Sequence, residues 1–344
     1  MNVLITGGAG YVGSHAVRLL EQQRHEVWVF DNLSEGNRRA VRSERLVVGE
    51  LMDRSLLRTV MNDHRIEAVM HFAASAYVGE SVEHPHKYYQ NNIVATLSLM
   101  EAMREAGVAR IVFSSSCATY GVPDSVPITE DESQQPINPY GFTKLVMERA
   151  LSDYCHAYQW GYAALRYFNA AGASQAGDIG EDHDPESHLI PLILQTALGQ
   201  RDEILIFGDD YPTSDGTCIR DYIHVDDLAT AHLAALQRLD AGVELKLNLG
   251  TGRGASVREV INACRQITGQ DIPARVVDRR PGDPPELVAD PRRARDQLGW
   301  QPKHTTIDSI VESAWRWHKT HPQGYPKDEG RPRSDNPHRK PLGG

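Results

Sequence analysis

The feature that most constrains this chain is a glycine-rich turn at its start, Thr6-Gly7-Gly8-Ala9-Gly10-Tyr11-Val12-Gly13, set between an apolar run and a helical pattern. Residues 2–6 read as a short buried strand, and residues 11–23 carry Val12, Ala16, Leu19 and Leu20 at the spacing of one helix face. Glycines at a strand-to-helix junction let the backbone turn tightly and approach a pyrophosphate, whose charge the free N–H groups and the helix dipole would meet. The spacing Gly7, Gly10, Gly13 departs from the G-x-G-x-x-G form. A second expected strand, 26–30, ends on Asp31, about 20 residues on, where an acid accepts from a ribose 2′-OH. Asp31 would repel a 2′-phosphate, so the reading favours NAD over NADP.

The same alternation continues, with strands expected at 45–49, 68–73, 110–115 and 162–168 and helices from Asp53, over 86–106 and up to about Gln159. It implies an α/β fold, a Rossmann-type doubly wound parallel sheet with ligands beyond the carboxyl ends of its strands. Residues 1–172 are expected to form the dinucleotide-binding domain, with about 220–250 returning to it through a strand at 245–249. Residues 173–320, with helices at 190–199 and 257–268, are read mainly as a smaller C-terminal substrate-binding lobe. Residues 321–344, rich in Pro, Gly, Arg, Lys and Asp, have too little apolar surface to be ordered.

Lys plus Arg number 36 against 46 Asp plus Glu, a formal charge of -10, and no basic stripe precedes the tail, which argues against a nucleic-acid partner. No stretch is long and apolar enough to span a bilayer, and Met1 runs directly into the first strand, leaving no room for a signal peptide. A cytoplasmic protein is expected, with Cys117, Cys155, Cys218 and Cys264 reduced and unpaired.

Tyr140 and Lys144 stand one helical turn apart in Tyr140-Gly-Phe-Thr-Lys144 and so share a helix face. An ammonium there stabilises a phenolate and lowers a tyrosine pKa from roughly 10. Tyr140 can then act as general base towards a substrate hydroxyl, and Ser116 can hydrogen-bond the oxygen as it becomes a carbonyl. His183 and His188 sit in an acidic loop, but without a helical His-x-x-x-His pair or a cysteine partner no metal is expected.

These motifs, with His71-Phe-Ala-Ala-Ser-Ala-Tyr-Val-Gly-Glu-Ser81, Tyr88-Tyr-Gln-Asn-Asn92, Ser114-Ser-Ser-Cys-Ala-Thr-Tyr-Gly121, Leu165-Arg-Tyr-Phe-Asn-Ala-Ala-Gly172 and Asp210-Tyr-Pro-Thr-Ser-Asp-Gly-Thr-Cys-Ile-Arg-Asp-Tyr-Ile-His-Val225, carry a resemblance. The chain resembles the extended short-chain dehydrogenase/reductase family, in its UDP-glucose 4-epimerase branch, from Met1 to about Gln301. The resemblance implies an NAD site formed by Gly7, Gly10, Tyr11, Val12, Gly13, Asp31, Asn32, Glu50, Leu51, Phe72, Ala73, Ala74, Asn91, Ser114, Tyr140, Lys144 and Tyr167. It implies Ser116, Tyr140 and Lys144 as catalytic, and Ser116, Tyr140, Asn169, His188, Leu189, Arg220, Arg280, Asp283 and Leu287 around a UDP-sugar. Arginines would meet its diphosphate.

Glu50 replaces a usual Asp near the adenine, Ala76 stands where some members carry lysine, and His188 where many carry asparagine. The activity implied is 4-epimerisation of UDP-glucose and UDP-galactose through a 4-keto sugar, with hydride leaving C4 to NAD and returning. Siblings acting on UDP-xylose or UDP-N-acetylhexosamine, and a non-catalytic NAD-binding regulator, stay open, the last disfavoured by the retained Ser116, Tyr140 and Lys144. A 4,6-dehydratase would resemble Thr-Asp-Glu where this chain has Ser116-Cys117-Ala118. A homodimer through the helices near 86–106 and 138–159 is implied as well, and Leu287 would gate the space beside the hexose 2-substituent.

Overall fold

Strands with near-continuous apolar runs can bury both faces, and that is how the main sheet of this chain is built. The computed structural model describes residues 1–41, 44–280 and 282–326. The strands are β1 Asn2–Thr6, β2 Glu26–Asp31, β3 Leu46–Val48, β4 Ala68–His71, β5 Arg110–Ser116, β6 Gly161–Tyr167, β7 Asn169–Ala171, β8 Ile204–Phe207, β9 Ile219–His224, β10 Glu244–Leu249, β11 Gly254–Ser256, β12 Ala274–Val277 and β13 Glu286–Leu287. The helices are α1 Tyr11–Gln22, α2 Arg54–Asp63, α3 Val78–Glu83, α4 Pro85–Tyr88, α5 Ala95–Ala106, α6 Pro139–Tyr158, α7 Leu189–Ala197, α8 Val225–Leu236, α9 Val257–Thr268, α10 Arg292–Leu298 and α11 Ile307–Thr320.

Seven strands pair in parallel in the order β10-β6-β5-β4-β1-β2-β3. The chain builds outward from β1 to β3 and then returns to lay β4 on the other side of β1. Connections leave β1 and β4 in opposite directions, so the crevice beyond their carboxyl ends is the switch point at which a doubly wound sheet binds ligands. Alternate residues of β1 serve the two faces: Val3 and Ile5 join a core with Ala16 and Leu20 of α1 and Leu228 of α8. Leu4 joins the opposite core with Leu57 of α2, Met100 of α5 and Leu151 of α6.

After β9 the chain re-enters this body through α8, and β10 forms the sheet's edge beside β6. A third core collects Ile193, Ile206, Val260, Cys264 and Val311 from α7, β8, α9 and α11. There β9 pairs with β7, β11 and β13, and β8 with β12. The four cysteines are free.

The helix expected over 86–106 is broken by a widened π turn, Tyr89–Val94. The extra residue lets Asn92 turn inward, where it accepts from the Ser75 N–H at 2.9 Å and donates to the Ser75 carbonyl and to Thr143 Oγ1 of α6. A polar side chain thus replaces the strand partners that the chain lost on leaving β4.

The expectation that everything from residue 321 is too polar to pack fails at its start. Tyr325 is 7% exposed in a small cluster with Ala40, Ala173 and Trp317. Its N–H donates to Asp182 at 2.9 Å, and its hydroxyl accepts from the Gly180 N–H. One aromatic residue suffices to dock a segment whose average composition is polar. Residues 327–344 of that expected tail lie outside the described residues. Tyr325→Ala should lower unfolding free energy by roughly 3 kcal/mol, the cost of deleting a buried aromatic, read by urea denaturation. An unchanged midpoint would mean that the ring is not docked in solution.

Candidate active site

At the switch point, backbone approaches backbone too closely for any side chain. Gly7 has φ +73, and a Cβ there would lie 2.4 Å from the Ala73 nitrogen; one on Gly13 would lie 2.2 Å from the Gly7 carbonyl. Gly10 caps α1 without any side-chain hydrogen bond, so the helix presents its first N–H groups and positive dipole end to the crevice. Tyr11 and Val12 open that helix, and the Tyr11 hydroxyl reaches across to the Gly172 carbonyl at 2.6 Å. Phe72 and Ala73 both donate their N–H to the Thr6 carbonyl, which draws the ends of β1 and β4 together.

Asp31 ends β2 beneath this turn. Its carboxylate accepts from the N–H groups of Ala9 at 2.9 Å and Leu33 at 2.8 Å, and burial raises its pKa against those two hydrogen bonds. It therefore fixes the glycine turn against β2, a role that spacing alone does not announce. Asn32 donates to both Glu50 oxygens, which holds the longer acid at the crevice rim. Leu51 is buried in the core beside β2. Ala74 is half-buried, and Asn91 donates to Ser75 Oγ at 3.2 Å.

The second group forms where β5 and β6 end beside the first turns of α6. Asn138 caps α6 by accepting from the Gly141 N–H at 2.8 Å, and Pro139 fits the first turn, so the helix starts immediately before Tyr140. Tyr140, Lys144 and Ser116 are all buried. Lys144 Nζ donates to the Ser114 carbonyl at 2.7 Å and lies 5.8 Å from the Tyr140 ring. The Ser114 hydroxyl bonds the Tyr167 hydroxyl.

The ionisation of this group differs from the expectation that Lys144 draws the Tyr140 pKa down. Burial raises the phenol, the Tyr167 phenol adds to the rise, and a hydrogen bond with Ser116 only partly offsets it. Burial also lowers Lys144 to about 7, which the Glu148 carboxylate opposes. An ammonium that titrates near neutrality and points at a carbonyl supplies little field to the phenol. Burial thus favours the neutral phenol at Tyr140, and positive charge brought beside it would favour the phenolate.

Behind these residues lies a network that sequence reading missed. Glu148, one turn beyond Lys144, accepts from Ser115 Oγ at 2.5 Å and from Arg166 Nε and a terminal nitrogen at 2.6 Å. Arg166 also donates to the Tyr120 hydroxyl, which donates to Asn248. The Glu148 and Arg166 side chains are 2% and 3% exposed, so each charge depends on the other. The available signal was the 140, 144, 148 spacing on one helix face.

The residues assigned to a UDP-sugar are distributed around this group. Asn169 opens β7, pairing with Tyr222 of β9, and Leu287 in β13 pairs with Arg220. Leu287 also packs against the cluster of Tyr120, Ile128, Phe168 and Ala289. Arg220 donates to Asp283 at 2.5 Å, so these two are brought together as an ion pair. Arg280 stands over the Phe207 ring at 3.9 Å and is not drawn into that pair; Pro281 beside it lies outside the described residues. His188 stands at the N-cap position of α7 and bonds Glu181 at 2.8 Å and Glu186 at 3.0 Å, while Leu189 packs on the third core.

The comparisons agree with this architecture. The profile of the NAD dependent epimerase/dehydratase family matches residues 3–250. A UDP-glucose 4-epimerase of Halalkalibacterium halodurans is 52% identical over 94% of this chain and 98% of its own length. One from Corynebacterium glutamicum is 50% identical over 92% and 95%. Among solved structures, a UDP-glucose 4-epimerase from Brucella ovis in complex with NAD superposes with a TM-score of 0.89 at 51% identity, covering 91% of this chain and 97% of the other. On the match over most of its length, the chain belongs to the NAD dependent epimerase/dehydratase family.

Proposed function

We propose that this chain is an NAD-dependent 4-epimerase that interconverts UDP-glucose and UDP-galactose. The observation that carries the reading is the convergence of Ser116, Tyr140 and Lys144 at the ends of β5 and α6, next to a switch point lined by glycine. The residues fit the dinucleotide: glycine at 7 and 13 lets the β1–α1 turn pack backbone to backbone, and the N-terminus of α1, capped by a glycine without a side chain, favours the charge of a pyrophosphate. Asp31, Asn32 and Glu50 would hold the adenosine half, with Leu51, Phe72, Ala73, Ala74, Asn91, Ser114 and Tyr167 along its route and Lys144 on the second ribose.

Bound NAD supplies a two-electron acceptor and donor for the hydrogen on sugar C4, and its positive ring favours the Tyr140 phenolate. Tyr140 takes the proton of the 4-hydroxyl, and Ser116 donates a hydrogen bond to the oxygen as it becomes a carbonyl. Tyr140 returns the proton once the 4-keto sugar has turned its other face, so the net redox change is nil. Arg220 and Arg280 would bind the diphosphate, Arg220 sharing its guanidinium with Asp283. Asn169, His188 and Leu189 complete the pocket. The exposed apolar Tyr89, Leu97, Phe142 and Tyr158 on α5, α6 and the turn before α5 support a homodimer through that face. Among the described residues no helix is long and apolar enough to cross a membrane.

Tyr140→Phe should lower kcat by roughly 10²–10⁴-fold, with folding and bound NAD unchanged. Near-normal turnover would remove Tyr140 from the mechanism. Leu287 sets sugar choice in this reading. Against the bulk of leucine an acetamide should cost on the order of 1–3 kcal/mol, so UDP-galactose is preferred over UDP-N-acetylgalactosamine, and Leu287→Ser should narrow the kcat/KM ratio. Equal kcat/KM values in the unmodified enzyme, or an unchanged ratio in the variant, would place the gate elsewhere.

A further inference from the structure

We propose that Glu181, His183, Glu186 and His188 form a binding site for a divalent transition ion of the zinc class, at the rim of the crevice between the two lobes. Two imidazoles and two carboxylates from a single short loop converge so that one ligand atom from each lies within 4.8 Å of all the others. His188 Nδ1 is 2.8 Å from Glu181 and 3.0 Å from Glu186, and His183 Nδ1 is 3.1 Å and 3.9 Å from the same two carboxylates. Four donors around a tetrahedral zinc at about 2.0–2.1 Å lie roughly 3.3 Å from one another, so the observed separations bracket those of an occupied site.

Burial supplies the second argument. The Glu181 and Glu186 side chains are 4% and 3% exposed. Two carboxylates shielded from water side by side require a cation or two, and among the described residues the partners within ion-pair distance of them are the two histidines. A divalent ion answers the same charge with four directed bonds, and imidazole with carboxylate is a donor set that suits zinc.

The loop is braced for such a role. The Glu181 carbonyl accepts from the Trp317 indole at 3.0 Å, and the Ser187 and His188 N–H groups both donate to Glu186 Oε1 at 2.8 Å. The Tyr77 ring packs edge-on to His183 at 5.8 Å, and its hydroxyl is buried without a hydrogen-bond partner among the described residues. No helical spacing announces this group in the sequence, because the loop and not a helix brings the donors together.

Metal binding is read without turnover, so its outcome is independent of the epimerase reading. The test is isothermal titration of the metal-stripped, NAD-containing protein with zinc chloride, beside Glu181→Gln and His183→Gln variants whose circular dichroism and NAD content verify folding. The expected result is one zinc per chain in the unmodified protein and a loss of affinity by more than about tenfold in each variant. Equal affinity and stoichiometry in the variants would overturn the proposal. Zinc K-edge absorption on the unmodified protein gives a second reading that needs no variant: four nitrogen and oxygen neighbours including two imidazoles support the site, and a sulfur or six-oxygen environment overturns it.

Discussion

The structure depends on one close approach, that of the Gly7 backbone to Ala73 at the ends of β1 and β4. Parallel strands whose connections depart in opposite directions open a crevice beyond their carboxyl ends, and here that pair forms its floor. The absence of a side chain at Gly7 and Gly13 lets α1 start directly above the sheet, with its N–H groups aimed into the opening. Asp31 then secures the turn from below by accepting from Ala9 and Leu33. A binding crevice is thus a consequence of the topology, and the residues at its floor are restricted by sterics before any ligand is considered.

Chemistry is added to that crevice by joining the serine strand to α6. Glu148 and Arg166, both buried, tie Ser115 of β5 and the middle of α6 to β6, so the Tyr140 and Lys144 turn is held in register with Ser114 and Ser116. A buried ion pair of this kind contributes little net stability, but loss of one partner strands the other charge at a cost of about 3–5 kcal/mol. Its value here is geometric. The same burial raises Tyr140 and lowers Lys144, so this pocket resists charge until positive charge is brought into it.

Much of this was legible in the sequence wherever a local rule applied. The buried strand β1, the glycine junction, Asp31 at the end of β2 and the four-residue step from Tyr140 to Lys144 each follow from local pattern, and each stands in the structure where that pattern puts it. What stayed hidden depends on contacts between distant segments. Asn92 repairs the backbone of Ser75, Arg166 pairs with Glu148, and the donors of the 181–188 loop meet only after that loop folds. Composition misled at Tyr325, where a single ring packs on Trp317 at 4.7 Å within a polar stretch. At Tyr140, helical spacing gives the proximity of Lys144 but not the direction of its ammonium, which goes to Ser114.

The central claim is that one crevice removes the hydrogen from sugar C4 and returns it to the opposite face without exchange. The most direct measurement uses UDP-galactose deuterated at C4, incubated with the enzyme and its own bound NAD, with the UDP-glucose formed analysed by mass spectrometry and proton NMR. The account predicts UDP-glucose with the deuterium retained at C4. Product that carries solvent hydrogen at C4, or no UDP-glucose at all, would contradict it.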